Sequence, residues 1–172
     1  MNKIKLVDII CIIVIENAKT KEMESIKMEI LPKKGLGNVE FGNYTRILTK
    51  KLGSPQHVEE ISTDDDLKTT VLSFENGITV FLEGLIDPVV SNIDIDNRNA
   101  TLFGEKVFDL EEKGIKDLMH KNGYSEIEEE EEEWGETRLT FDDAMMDFYF
   151  ESGKLVAVSW GVEIGEGGEV IL

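Results

Sequence analysis

Carboxylates are the groups with which this sequence could do chemistry, and their abundance is what argues against it. There are 36 aspartates and glutamates in 172 residues. Hydrolysis of the glycosidase kind needs two carboxylates set apart from the rest by their surroundings, and nothing in the sequence singles out two. Nucleophilic catalysis needs a histidine beside a serine or cysteine. His57 follows the helix-stopping Pro55, and His120 falls in the last turn of a helical stretch, where a cation suits the helix dipole; both read as surface residues. A lone Cys11 supports neither an intramolecular disulfide nor a cysteine zinc site. "STDDDL" (Ser62–Leu67) and "IDIDNRNA" (Ile93–Ala100) carry oxygen ligands, but a calcium loop wants them at alternate positions, and Arg98 stands where one is required. Gly35, Gly37 and Gly42 lack the spacing and the strand–helix setting of a dinucleotide loop. The sequence therefore predicts no catalytic residue, no metal and no cofactor. An enzyme is not expected, with a hydrolase using acidic residues as the minor alternative.

The same carboxylates suit binding. Glu128, Glu129, Glu130, Glu131, Glu132 and Glu133 run without a break into Trp134. Residues in a strand alternate faces, so six carboxylates cannot bury either side, and the run is expected at an edge or on a protruding hairpin with Trp134 as its anchor. There it is either a guard against strand-to-strand association or a docking arm. "MMDFYFE" (Met145–Glu151) places Met146, Phe148 and Phe150 on one face and Met145, Asp147 and Tyr149 on the other. Such a strand is covered twice, or offers Met145, Asp147 and Tyr149 to a partner. A formal net charge of -18 repels nucleic acid and attracts basic proteins. The expected partner is thus a protein, of basic character, and not nucleic acid.

The elements that would position these residues form a recurring order. "VLSFENGITVFLEG" (Val71–Gly84) aligns with "RLTFDDAMMDFYFESG" (Arg138–Gly153), Leu72, Phe74 and Phe81 against Leu139, Phe141 and Phe148. Upstream of each lies a helical pattern: Tyr44, Ile47, Leu48 and Leu52, stopped by Gly53 and Pro55, and Ile115, Leu118 and Met119, capped by Asp109 with Glu112 and stopped at Asn122-Gly123. Alternation downstream puts Ile93 with Ile95, and Val156 with Val158 and Trp160. The fold class expected is α+β: two tandem repeats, each a short helix packed on a meandering antiparallel sheet of up to four strands. The units are 28–102 and 103–172, packed as one body because a single one has too small a core. Residues 1–27 are an N-terminal extension, read as a strand, a weak export signal or a misassigned start; the apolar run Ile9–Ile15 is too short to span a bilayer.

"GLGNVEFGNYTRILTKKLGSPQHVEE", with its Leu52-Gly53-Ser54-Pro55 helix stop, resembles the superfamily of the β-lactamase inhibitor protein and the small outer-membrane-assembly lipoproteins, which includes immunity-like bacterial proteins. The resemblance spans Gly35 to Val162, and Asn43-Tyr44-Thr45 departs from its usual helix start, so no partner-binding residue is carried over. It implies a non-enzymatic binding scaffold that grips a protein on its sheet. The function expected is an acidic protein-binding module, an inhibitor or immunity protein for a basic toxin or enzyme, cytoplasmic; the alternative is an exported cell-envelope accessory protein.

Overall fold

A computed structural model describes residues 26–62, 68–84, 87–131, 136–165 and 169–171. Three very short strands open it: β1 (Glu29–Leu31), β2 (Gly35–Leu36) and β3 (Val39–Glu40). Helix α1 (Thr45–Leu52) follows, with Leu48 fully buried. Gly53 ends it at φ 82°, its N–H returning to the Thr49 carbonyl at 3.2 Å, and Lys50 and Lys51 complement the dipole of the last turn. Four consecutive strands come next: β4 (His57–Ser62), β5 (Lys68–Phe74), β6 (Ile78–Glu83) and β7 (Val89–Ile95).

A second run has the same kinds of element: β8 (Thr101–Leu102), β9 (Glu105–Lys106), α2 (Glu112–Lys121), then β10 (Ile127–Glu131), β11 (Glu136–Phe141), β12 (Met146–Glu151) and β13 (Lys154–Gly161). The small strands β14 (Glu163–Ile164) and β15 (Val170–Ile171) pair with each other. Helix α2 buries Ile115, Leu118 and Met119. Its expected cap is corrected. Asp109 closes a 3-10 turn over Val107–Asp109, the helix starts at Glu112, and neither Asp109 nor Glu111 caps it through a side chain. The turn is spent burying Val107 and Phe108, and the helix can begin only after it.

The expected fold class is overturned. The strands do not form two sheets of up to four, each with its own helix; they form one antiparallel sheet of eight, in the order β10-β11-β12-β13-β7-β6-β5-β4. Strands dominate the described residues, which hold two α-helices. The cause lies at a seam. The last strand of each run has an unpaired edge, and the two edges satisfy one another: Val158 faces Ile95, Ser159 faces Asp94, Trp160 faces Ile93 and Gly161 faces Asn92. Alternation reveals which side of a strand is buried but not which strand lies beside it. The short strands make a second sheet, β3-β2-β1-β8-β9, in which β1 and β8 run parallel.

One face of the large sheet carries the core. Leu72, Val80, Ile93, Val158, Phe148 and Leu139 line it, one per strand from β5 across to β11, and all are buried with both helices and Ile30, Leu36 and Leu102 of the small sheet. Phe141 and Phe148 meet edge to face, 5.8 Å apart. Trp160, 1% exposed, is the largest of the fully buried side chains, and its Nε1–H donates to the Gly35 carbonyl at 3.1 Å, tying the two sheets. A bulge corrects the expected alternation in β13. Tyr149 pairs with Ala157 but Phe150 with Leu155, so Val156 is skipped and Leu155 takes its place inside. Of the N-terminal extension, Ile26 packs against the core, while the readings of residues 1–25 lie outside the described residues.

Candidate functional site

Among the described residues, the opposite face of the large sheet is left half-exposed. Period-2 geometry sends every second residue there, and cross-strand partners share a face. One row therefore runs the width of the sheet: Glu128, Thr140, Asp147, Ser159, Asp94, Thr79, Ser73 and His57, one residue from each strand. On the six inner strands these side chains are half-buried, wedged among neighbours but open above. Helix α2 packs on the other side, where the Lys116 ammonium reaches Glu129 at 2.7 Å and the His120 ring meets Phe141.

The middle of the row is hydrogen-bonded. The Asn92 amide donates to Asp94 Oδ1 and to Ser159 Oγ, each at 3.0 Å, bridging the seam between β7 and β13. Across β12, the Thr140 hydroxyl donates to Asp147 Oδ1 at 2.5 Å. Asp94 and Asp147 flank Ser159 from either side. Burial pushes the Asp94 carboxyl above its ordinary range; hydrogen bonds from Ser159 and Asn92 pull it down, and the charge of Asp147 pushes it up again. Beside them, burial and the charge of Asp147 raise the Tyr149 hydroxyl against the pull of Arg138. Arg138 itself pairs with Glu130, which raises it further.

A raised carboxyl has a sign. The folded state holds the Asp94 proton to higher pH than the unfolded chain does, so the stability Asp94 contributes is full below its unfolded value and is lost as pH rises through the folded value. Asp94→Asn keeps an oxygen that accepts from Asn92 and Ser159 and removes the charge. It is expected to be more stable than the parent near pH 7, by a margin that shrinks toward about pH 4. Urea denaturation across that range checks it, and a margin independent of pH would mean that Asp94 ionises as freely folded as unfolded.

The glutamate run is divided by the same alternation. It forms β10, an edge strand, in which Glu128 and Glu130 face the open side and Glu129 and Glu131 the helix side. Glu129 and Glu130 already hold cations of this chain, Lys116 and Arg138. Glu132, Glu133 and Trp134, with the hairpin turn expected there, lie outside the described residues. Asp147 and Tyr149 are together on the open face, half-buried among the described residues. Met145 precedes β12, in a left-handed turn at φ 53° that follows the 3-10 turn Asp142–Ala144.

Asp94 was legible only as a broken calcium loop. It lies instead within β7, one residue from its end, and Asn92, Thr140 and Ser159 gave no sign beyond being the polar partners in an alternating pattern. Among the described residues no group of three histidines, cysteines or carboxylates could hold a metal ion. His57 is exposed, and the glycine-rich stretch forms the β2–β3 hairpin. No helix among the described residues is long and apolar enough to cross a membrane.

Comparison with known proteins finds no matching family model and no matching curated protein. Among solved structures, an extracellular protein containing a SCP domain from Bacillus anthracis str. Ames is similar at TM-score 0.43 and 16% identity, over 84% of this chain and 48% of that one. The chain spans about half the length of that protein.

Proposed function

We propose that this chain is a non-catalytic protein-binding module, an inhibitor or immunity protein, that takes a basic protein on the open face of its eight-stranded sheet. The observation that carries the reading is that face itself. Glu128, Glu130, Glu136, Asp147 and Glu151 lie on β10–β12 and face outward, against Arg138 on the same strands. The net charge of -18 adds a field that would draw a basic partner in and speed the encounter. A sheet face is also a rigid platform, so little conformational freedom need be lost on binding. The resemblance to inhibitor-type scaffolds points the same way, at the level of analogy.

The test is affinity capture from the source organism with the parent and with a Glu130→Lys/Asp147→Lys variant as paired baits. The expected result is a basic protein retained by the parent at low and at physiological salt and released by the variant. Retention of the same protein by both baits, or no basic protein on either, would sink the proposal.

A further inference from the structure

The open face is not uniform. At the β4–β6 end an apolar strip interrupts the polar surface: Val71 and Phe81 are cross-strand partners, and Ile61 lies diagonally beside Val71, on the edge strand. Ile61 is 43% exposed, Phe81 is half-buried, and Val71 between them is buried. Two large apolar side chains kept at the solvent side of a sheet whose other face is already packed do not serve the core. The excess of carboxylates lies at the other end, on β10–β12. The Asn92–Asp94–Ser159 network occupies the strands between.

Resting on the docking reading above, we infer that the face is bipartite and fits a folded basic protein whose contact surface sets an apolar patch beside a cluster of lysines or arginines. The apolar patch sits on Val71, Phe81 and Ile61, and the cations lie over Asp147, Glu128 and Glu130. Strands are spaced about 4.8 Å apart, and Phe81 lies two residues along β6 from Thr79, which is level with Asp147, so Phe81 and Asp147, three strands over on β12, are separated by about 16 Å. That is the spacing the partner must match. The face is large enough to hold it. Seven gaps between eight strands give a width of about 34 Å, and with strands about 20 Å long the area is near 700 Å², close to the ~800 Å² that each side of a stable interface contributes. The two ends divide the labour. Long-range attraction by the acidic end governs the approach and weakens with salt. Desolvation of the apolar end governs how long the complex lasts.

Two synthetic peptides of identical composition test this on the full chain, each about twelve residues with four arginines and three leucines. In one the leucines and arginines form separate blocks; in the other they alternate. The expected result is that the blocked peptide binds about tenfold tighter, about 1.4 kcal/mol, and perturbs the amide signals of Thr79 and Phe81 together with those of Thr140 and Asp147. Phe81→Glu should abolish the difference between the peptides, whereas Asp147→Lys should weaken both. Equal binding of the two peptides on this face overturns the bipartite pattern and leaves the docking reading standing. No perturbation of the face by either peptide overturns both.

Discussion

Replacing Trp160 with alanine should cost about 3–5 kcal/mol, a large part of the ~5–15 kcal/mol by which domains of this size are stable. Three contributions meet at this residue. Its ring is 1% exposed at the join of the two sheets, so truncation leaves a cavity that the surrounding strands cannot close. It is the cross-strand partner of Ile93 and of Met146, on both neighbouring strands. Its indole N–H satisfies the Gly35 carbonyl. Trp160→Phe separates these effects. It keeps an aromatic ring but leaves that buried carbonyl without its donor, a loss of about 1–3 kcal/mol on its own. Urea titration of both variants measures the two costs. If phenylalanine loses as much as alanine, the hydrogen bond between the sheets matters more than the volume.

Gly161→Val should open the seam. A side-chain carbon at Gly161 would lie 2.6 Å from Asn92 Oδ1 and 2.8 Å from the Ser91 carbonyl. The first obstacle is the end of a side chain and can swing away; the second is backbone of the partner strand and cannot. Overpacking of this kind costs about 1–3 kcal/mol, concentrated on the pairing of β7 with β13. Hydrogen exchange should show it locally. The Val162 N–H, bonded to the Ser91 carbonyl at 2.9 Å, and the Gly161 N–H, bonded to the Met145 carbonyl at 3.1 Å, should lose protection before the amides of the β5–β6 hairpin. Adding Asn92→Ala should not restore them, because the Ser91 carbonyl remains. Restoration would place the obstruction at the Asn92 side chain instead.

What could be read from the sequence was local. Gly53 and Gly123 stop their helices at positive φ, and the faces of β5, β11 and β12 follow the alternation of Leu72 with Phe74, Leu139 with Phe141, and Phe148 with Phe150. These features depend on near neighbours in the chain. The failures depend on what a segment packs against, and the largest of them on distant residues. The merger into one sheet rests on four pairings between segments far apart. The bulge that exchanges Val156 for Leu155 depends on the partner strand, and the displaced helix start depends on burying Val107 and Phe108. The candidate site divides the same way. Asp147 and Tyr149 could be placed on one face from period 2 alone. Asp94 could not be added to them, because its place beside Ser159 exists only once β7 and β13 have met.

That seam also bears on how the chain is made. Strand β7 leaves the ribosome about sixty residues before β13, its partner. At ~5–20 residues per second, its edge stays open for several seconds, with Asn92 to Ile95 ready to pair with any extended segment nearby. During that interval the Asp94 carboxylate is fully hydrated on an open edge, where charge discourages such pairing. The same group becomes a burden when β13 arrives and half-buries it. The gain from Asp94→Asn in the finished protein would then be set against more aggregate during synthesis.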